Sequence, residues 1–473
     1  MSSPARVAAF VLESGVRFHA QKDRVQYAQW LRRTLIDLGP TWVKFGQFLS
    51  TRPDLVEGSI VTQMQSLQDN VTPIPTRVVT DIVKRELKIA RLEDVFASFE
   101  EECIASASIG QVHGATLKDG RRVVVKVKKP RVAESFKQDL AIVKAFNEVT
   151  SFVQRERAAD VNHFLKLYEM QIQSELDYAR EAKHMLEFDK HKSEFPVRVK
   201  VPKPIMELCV GDVLVMSNVA SIKATDVDEL KRRGIDAAWL ANSLTDVFLH
   251  QIMNLGLVHC DPHPGNIGVC TTDNNAIVLY DFGNVIRLST DFRKRLAELI
   301  FSIYQQDVDE FVTILTELRI LKIEDPEDRT RIKVFFGSFF EYLKNVDMAR
   351  LRRDVVRNSA SSPSRVALQI DPNFTALFRV FTLLDGTCTT LDPNFNYIDS
   401  LLPYIMQNMD LSFFDTRAKR DMMKLRDMSM AMQKNENSIV QTKDKISNLD
   451  NRLNWITALA GSVLLTSITH LIF

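Results

Sequence analysis

The spacing of apolar residues changes along the chain from a helical to a strand-like period and back. Before residue 90, apolar residues recur every three or four positions, which predicts amphipathic helices with a break at Gly39-Pro40. Between residues 98 and 127, short apolar runs separated by turn residues predict a small antiparallel sheet. The helical period returns over residues 131–188 and dominates after residue 290. This pattern predicts an α+β fold.

Shorter segments complete the pattern. The spacing of apolar residues over residues 76–88 predicts a helix. A second helix is predicted over residues 236–255, and it leads into the polar stretch that follows it. Two apolar runs, 197–201 and 213–218, predict strands that close the small sheet. After residue 283 we expect helices almost throughout, over residues 290–321, 327–345, 364–384 and 396–408.

Residues 256–283 carry the densest chemistry of the chain. Two apolar runs flank the polar turn Thr-Thr-Asp-Asn-Asn, which predicts a short hairpin. Asp261 and Asn266 precede this hairpin, and Asp281 of Asp-Phe-Gly follows it. Protein kinases use an Asp, an Asn and a later Asp-Phe-Gly in this order, because cations must stabilise the negative charge of the transition state. The stretch predicts phosphoryl transfer from ATP, with Asn266 and Asp281 binding Mg²⁺ and Asp261 acting as base or orienting the attacking group.

Two other interpretations of this stretch remain open. His259, Asp261 and His263 alternate like ligands of a zinc or iron ion, although such a site leaves Asn266 and Asp281 unexplained. An ordinary surface turn is the second alternative, but turns rarely place this set of charges between apolar strands.

Lys126 ends the Val-Val-Val run of a predicted strand, where a protein kinase has the lysine that holds the α and β phosphates. On its own it would also suit a solvated strand end. The segment Ala105-Ser106-Ala107-Ser108 lies where a kinase has its glycine-rich loop. Methyl groups limit φ and how closely the backbone approaches a phosphate, so we expect nucleotide placement to differ from that in ordinary kinases.

Three carboxylates lie close together on a predicted helix: Glu175, Asp177 and Glu181. Asp177 and Glu181 are four residues apart and share one face, and we expect one of the carboxylates to pair with Lys126, as the helical Glu of a kinase does. A plain acidic helix face is the alternative.

Lys44 and Gln47 are three residues apart on one face of a helix that starts at Pro40, among closely spaced apolar residues. A helix whose lysine extends to water is the simpler interpretation.

The C-terminal region has two apolar patterns. Apolar residues recur every seven positions from Leu425 to Leu453, which predicts a coiled coil or a docked amphipathic helix. Residues 455–473 contain no acidic residue, Lys or Arg and are about long enough to cross a bilayer, with Trp455 at the interface. A terminal helix buried on the protein or on a partner is the alternative.

Composition narrows the class of protein. The 473 residues are 45% hydrophobic, enough for a large core and two or three units. The 61 basic and 60 acidic residues give no support for a nucleic-acid partner. Five cysteines without a Cys-x-x-Cys pair favour a reducing compartment. The N-terminus lacks the apolar core of a signal peptide, and Glu13 and Asp23 speak against a transit peptide.

Taken together, these segments resemble the UbiB-like, aarF-domain atypical kinases over roughly residues 25–410. Lys44 to Gln47 matches the Lys-x-Gly-Gln signature of that family, and Ala105 to Ser108 its alanine-rich loop. Glu175-Leu176-Asp177 matches its Glu-x-Asp element, with Glu181 in the place of the ion-pairing Glu. His259 to Asn266 and Asp281 to Gly283 match its catalytic and metal-binding motifs.

The resemblance implies a protein-kinase-like two-lobed fold, and together with the two apolar patterns of the C-terminal region we expect five regions. These are a helical N-terminal extension (1–90), a small antiparallel-sheet lobe with inserted helices (91–222), a helical large lobe with the catalytic loop (223–412), an amphipathic helix or coiled coil (413–454) and a C-terminal hydrophobic helix as membrane anchor (455–473). It also implies that the extension covers the acceptor site, where Lys44, Gln47, Glu175 and Asp177 would close the pocket.

For function, the resemblance implies an ATPase or lipid-directed phosphotransferase that supports prenyl-quinone metabolism at a membrane. Expected partners are a lipid or prenyl-quinone intermediate, a quinone-biosynthesis complex and a second copy of the chain. The expected location is a plastid or mitochondrial membrane, or the cytoplasmic side of a bacterial membrane; Leu38-Gly39-Pro40 and residues 50–55 look most like plastid and cyanobacterial members. Met216-Ser217-Asn218 and Ser221 depart from the family pattern after the hinge strand.

Two rival functions remain. A small-molecule phosphotransferase of the choline or aminoglycoside kinase kind has a similar His-x-Asp-x-His loop, although the Lys44 signature speaks against it. A nucleotide-gated scaffold without catalysis is the second, and the complete set of predicted metal and phosphate ligands speaks against that.

Overall fold

The computed structural model describes the chain in two compact units. The first contains residues Met1–Lys192, Lys200–Ala220 and Val278–Asn284, and the second contains Ser193–Val199, Ser221–Ile277 and Val285–Phe473. The residues described are 4–20, 23–50, 58–65, 67, 73–151, 155–305, 307–318, 320, 329–330, 332–334, 336–337, 372–393, 395 and 404. The predicted coiled coil over 413–454 and membrane helix over 455–473 lie outside them and stay predictions.

The first unit begins with helices that pack on one another: α1 (Pro4–Ala20), α2 (Arg24–Leu38), α3 (Pro40–Ser50) and α4 (Gly58–Gln65). Gly39 ends α2 with a φ of 107°, as the predicted break requires. Gly46 lets α3 approach its neighbours, because a Cβ there would lie 2.3 Å from a methyl carbon of Leu67. The buried residues of these helices form one core cluster: Val7, Phe10, Tyr27, Ala28, Leu31, Leu35, Leu38, Trp42, Val43, Leu49, Ile60, Met64 and Leu67.

The sheet of the first unit has the order β1–β2–β3–β5 and is antiparallel. Its strands are β1 (Phe96–Ser106), β2 (Gly110–Leu117), β3 (Arg122–Lys128) and β5 (Val213–Ser217), and helix α5 (Thr76–Leu87) precedes them. Val123, Val125 and Val127 of β3 are buried in a core shared with α5. Because side chains alternate along a strand, Lys126 and Lys128 lie on the opposite face of the sheet.

Three further helices complete the first unit: α6 (Val132–Ser151), α7 (Arg155–Leu176) and α8 (Tyr178–His191). Phe48 of α3 shares a buried cluster with residues of α6 and α7, among them Phe136 and Tyr168. Asp177 separates α7 from α8 and caps α8 by accepting a hydrogen bond from the Arg180 amide.

The second unit combines short strands with helices. The helices are α9 (Val227–Arg232), α10 (Ala237–His250), α11 (Thr290–Gln305), α12 (Val308–Glu317) and α13 (Pro372–Leu391). Strand β6 (Ile222–Lys223) pairs with β8 (Ile267–Cys270), and β7 (Leu257–His259) pairs with β10 (Val285–Arg287). Strand β9 (Ala276–Leu279) is the neighbour of β8, and the turn between them contains Asn274 and Asn275 at positive φ. The predicted hairpin is therefore present.

One sequence-based expectation was wrong. The run 197–201 does not close the small sheet, because its strand β4 is only Val199–Lys200 and belongs to the sheet of β6, β8 and β9. The predicted helix over 236–255 is present: it is α-helical over Ala237–His250 and continues as a π-helix over Gln251–Leu255. Within the described ranges, no helix combines the length and apolar character needed to span a membrane.

Candidate nucleotide and phosphoryl-transfer site

Lys126 of β3 lies between two carboxylates in the first unit. Its Nζ donates hydrogen bonds to both Glu181 oxygens, at 2.9 and 3.0 Å, and lies 3.4 Å from Asp281 Oδ2. The side chains of Lys126 and Glu181 are 16% and 3% exposed, whereas that of Asp281 is 47% exposed. The structure thus brings together three residues that lie 55 and 100 positions apart, and the ion pair expected for Lys126 is present with Glu181.

Burial and charge oppose each other in this cluster. Burial disfavours the charge of Lys126, but the carboxylates of Asp281 and Glu181 outweigh it and hold the pKa of Lys126 well above its usual value. Burial also raises the pKa of Glu181 to about 7, against the opposing charge of Lys126. Lys126 is therefore positively charged at neutral pH, whereas the pKa of Glu181 lies close to neutral pH, and the charge of Lys126 favours its ionised form.

Asp281 is held in an unusual backbone conformation. Its φ is 57°, in the left-handed region that Asp tolerates better than most residues. The two residues after it are anchored in the same unit, because Phe282 accepts a hydrogen bond at its carbonyl from the His184 ring and Gly283 accepts one from Ser174 Oγ at 2.8 Å. The Phe282 ring also packs on Phe188, with centroids 4.9 Å apart. These contacts stabilise the conformation that turns the Asp281 carboxylate toward Lys126.

The four residues that were predicted to close the acceptor pocket each make local contacts in the first unit. Lys44 pairs with Glu175 at 3.3 Å, and both side chains are 17% exposed. Gln47 donates to the Leu67 carbonyl at 3.1 Å. Asp177 caps α8 and is exposed. The structure thus joins Lys44 to Glu175, and it places Gln47 and Asp177 in local structural contacts; their role in closing a pocket stays a prediction.

The alanine-rich segment spans the end of β1 and the turn to β2: Ala105 and Ser106 are the last residues of β1, and Ala107 and Ser108 lie in the turn. The Ala107 amide donates to the Gly110 carbonyl at 2.9 Å, which closes the turn. All four loop residues are within the described part of the chain, and none of them has a positive φ. Ser108 is buried, whereas Ala105 is exposed. Ala105, Ser106, Ala107 and Ser108 are therefore held without the conformations that glycine would allow, and their contact with a nucleotide stays a prediction.

Tyr178, which sequence reasoning missed, lies beside the charged cluster. Its ring centroid is 5.2 Å from Nζ of Lys126 and 5.2 Å from Nζ of Lys128, within the range of cation–π attraction. Its buried hydroxyl has no hydrogen-bond partner among the described residues, and a Cβ at Gly110 would come within 2.4 Å of it. Tyr178 therefore packs between the strand lysines and the start of β2. An aromatic residue directly after Asp177 was the signal in the sequence.

In the second unit, the loop after β7 is organised by hydrogen bonds between near neighbours. The Asp261 amide donates to His259 Nδ1 at 3.3 Å, and Asn266 Nδ2 donates to the Asp261 carbonyl at 3.0 Å. The Gly265 amide donates to His263 Nδ1 at 2.9 Å. Asp261 and Asn266 thus share one loop, in which Asn266 is buried and His263 Nε2 is 3.9 Å from Asp261 Oδ2. Their position relative to Asp281 stays a prediction.

Arg379 of α13 is the second residue that sequence reasoning missed. Its Nη2 donates to Asp261 Oδ1 at 2.6 Å, across 118 positions of sequence. Nothing around Arg379 in the sequence resembles a motif, so no local signal could have found this pair.

The donor types suit a nucleotide with Mg²⁺. Mg²⁺ takes oxygen ligands and usually binds through one or two carboxylates together with substrate phosphates. The half-exposed carboxylate of Asp281 and the amide oxygen of Asn266 are ligands of that kind. Within the described residues, no group of three or more His, Cys, Asp or Glu is arranged to hold a metal ion.

A strand lysine paired with a helical glutamate, beside the aspartate of Asp-Phe-Gly, is the arrangement of protein-kinase-like proteins. The structure of the Rv3197–erythromycin complex from Mycobacterium tuberculosis has a similar fold, with a TM-score of 0.53 and 22% sequence identity. The match covers 73% of this chain and 87% of the chain in that structure. The protein is therefore of the protein-kinase-like class.

The sequence matches the ABC1 atypical kinase-like domain over residues 66–315, more than half of the chain. The protein belongs to this family of atypical kinases, which includes the UbiB-like kinases, as its sequence motifs predict. The Arabidopsis thaliana protein ACTIVITY OF BC1 COMPLEX KINASE 7, chloroplastic, is 32% identical over 82% of this chain and 55% of its own length. Probable protein kinase UbiB of Cellvibrio japonicus is 31% identical over 81% of this chain and 69% of its own length. The chain thus spans about half the length of the Arabidopsis relative.

Proposed function

We propose that this protein binds ATP with Mg²⁺ and cleaves its terminal phosphate, as an ATPase or as a phosphotransferase that acts on a lipid. The observation that carries this proposal is the position of Lys126 between Glu181 and Asp281. A cation that is held in place by a buried carboxylate, beside a second carboxylate open to solvent, provides one group for phosphate oxygens and one for a metal ion.

Each residue has a distinct role in this proposal. Lys126 holds the α and β phosphates, and Glu181 orients it. Asp281 and Asn266 bind Mg²⁺, which neutralises charge on the phosphates when it is bound. Asp261 receives the proton of the attacking hydroxyl or water, or orients that group. Lys44 and Glu175, paired in the structure, close the acceptor side of the site together with Gln47 and Asp177.

The acceptor and setting follow from the family. We propose that the protein acts at a membrane in prenyl-quinone biosynthesis or homeostasis, on a lipid or prenyl-quinone intermediate and beside a quinone-biosynthesis complex. Relatives named chloroplastic in Arabidopsis thaliana and UbiB in bacteria support a plastid or a bacterial membrane as the location. Lipid analysis of cells that lack the protein should show an accumulated prenylated ring precursor; unchanged lipids would contradict this part.

The decisive experiment replaces Asp281 by Asn. Asn tolerates a positive φ and matches Asp in size, so the Asp281→Asn chain should fold. Purified protein with detergent or lipid should hydrolyse ATP, and the variant should lose at least about 100-fold in turnover and its Mg²⁺-dependent nucleotide binding. Asp212→Asn is the matched control, since Asp212 pairs with Lys128 on the same strand. Equal turnover in wild type and Asp281→Asn would refute the assignment.

A further inference from the structure

Helix α13 contacts the loop after β7 at two points within the second unit. Arg379 Nη2 donates to Asp261 Oδ1 at 2.6 Å, and the two side chains are 17% and 22% exposed. About two turns later, Thr387 Oγ1 lies 3.4 Å from the Pro262 carbonyl oxygen and shares its one hydrogen between that oxygen and the Leu383 carbonyl at 3.0 Å. One helix therefore reaches both the side chain of Asp261 and the backbone of the residue after it.

The contact from Arg379 holds the side chain of Asp261, whereas the bonds within the loop hold its backbone. The loop backbone is already held by the Asn266 side chain on the Asp261 carbonyl and by the His259 ring on the Asp261 amide. Neither of these bonds contacts the Asp261 carboxylate, whose Oδ2 lies 3.9 Å from His263 Nε2. A short, charge-assisted hydrogen bond from a largely buried guanidinium fixes the carboxylate, because one carboxylate oxygen must then point at Arg379.

We propose that Arg379 is a positioning residue for phosphoryl transfer. It turns the Asp261 carboxylate so that Oδ1 faces α13 and Oδ2 faces the side of the loop from which the acceptor hydroxyl or water approaches. This inference rests on the proposed function, in which Asp261 receives or orients the attacking group. The competing explanation is a structural role, in which the pair only ties α13 to the loop as Thr387 does.

A positioning role of Arg379 and a purely structural role predict different kinetics. Arg379→Met should lower kcat for ATP hydrolysis at least tenfold and leave KM for ATP within twofold, because the residues assigned to the phosphates are untouched. Arg379→Lys keeps the positive charge and should recover at least half of the loss on a logarithmic scale. Thr387→Val, the matched control, removes the other polar contact between helix and loop and should keep kcat within twofold.

A double substitution makes the test specific. In the Asp261→Asn background, Arg379→Met should change kcat by less than twofold, since there is no carboxylate left to orient. Fully additive losses, an unchanged kcat in Arg379→Met, or equal losses in Arg379→Met and Thr387→Val would each overturn the proposal. If Arg379→Met does not fold, Arg379→Gln replaces it with the same expected loss.

A readout without turnover separates this inference from the proposed function. Amide hydrogen exchange of residues 259–266 should be the same in wild type, Arg379→Met and Arg379→Lys, because other bonds already hold the loop backbone. If the wild-type chain hydrolyses no ATP, the proposed function fails, and exchange still decides whether Arg379 holds the loop backbone. Clearly faster exchange in Arg379→Met would show that the pair ties the loop to α13 and would overturn the positioning role.

Discussion

The charged cluster of the first unit and the loop of the second unit are held together in different ways. In the first unit, Lys126 joins two carboxylates from α8 and from the segment before β10, so the geometry depends on charge. In the second unit, backbone and side-chain hydrogen bonds within eight residues set the loop, and Arg379 adds one ion pair. Changes of charge should therefore impair the first region directly, whereas in the second they should act through the Arg379–Asp261 pair, and the loop backbone should respond to changes in packing and backbone geometry.

The largest expected effect follows from removing the shared lysine. Lys126→Met leaves the Glu181 and Asp281 carboxylates without their cation, and ATP without a group for its phosphates. We expect kcat/KM for ATP hydrolysis to fall by about 100-fold or more, since removing one fixed electrostatic group costs roughly 10²–10³ in rate. Steady-state hydrolysis and fluorescent-nucleotide binding measure the change.

Lys128→Met is the matched control for this substitution. Lys128 is on the same strand and face, at the same 5.2 Å from the Tyr178 ring, but pairs with Asp212 instead. Its replacement should leave kcat/KM within about threefold of wild type, because Lys128 pairs with Asp212 and is not assigned to the phosphates. Similar losses in both variants would show that the strand lysines act through folding and not through the charged cluster.

The difference between the two regions also explains which site residues could be predicted from the sequence. Lys126, Glu181 and Asp281 stand in motifs whose order along the chain matches a family, so their identity was available from local patterns. Arg379 was not, because its contact spans 118 positions and depends on how α13 packs. The run 197–201 was placed in the wrong sheet, since alternation indicates a strand but not its partner. The π-helical turn at 251–255 could not be predicted either, because the apolar residues there have the spacing typical of an α-helix.

A second prediction compares two glycines, one from each unit. A Cβ at Gly110 would lie 2.4 Å from the Tyr178 hydroxyl, and a Cβ at Gly256 would lie 2.8 Å from the Leu288 carbonyl oxygen. Gly256 also has a φ of 69°. Either Gly→Ala change should destabilise its unit by about 1–3 kcal/mol, because overpacking and a strained φ are both costly. Thermal unfolding measures both.

The two glycine variants should differ in whether they can be rescued. Tyr178→Phe removes the hydroxyl oxygen that a Cβ at Gly110 would clash with. This hydroxyl has no hydrogen-bond partner among the described residues, so its removal breaks no bond there. The double variant should therefore regain about 1 kcal/mol or more of the loss. At Gly256 the obstacle is backbone, so no side-chain substitution should help. A Gly110→Ala loss that Tyr178→Phe leaves unchanged would show that the clash is not with the hydroxyl.

The smallest effect concerns pH and a carboxylate of the second unit. Burial raises the pKa of Asp246 in α10 to about 6. The folded state therefore binds more protons than the unfolded state between about pH 4 and 6, and the free energy of unfolding falls as pH rises through this window. Asp246 is partly solvated, so we expect a loss of about 1 kcal/mol between pH 4.5 and 7.5 rather than the full value of the shift.

Asp246→Asn should abolish this loss and make the protein more stable than wild type at pH 7.5, with little difference at pH 4.5. Asp81 of α5 in the first unit is the control, because its hydrogen bond with Lys84 lowers its pKa. A lowered pKa contributes stability that is present above the unfolded value and lost only at more acidic pH, so Asp81→Asn should leave the loss between pH 4.5 and 7.5 in place. Unfolding curves at both pH values measure the difference; a loss that persists in Asp246→Asn would place its origin in another group.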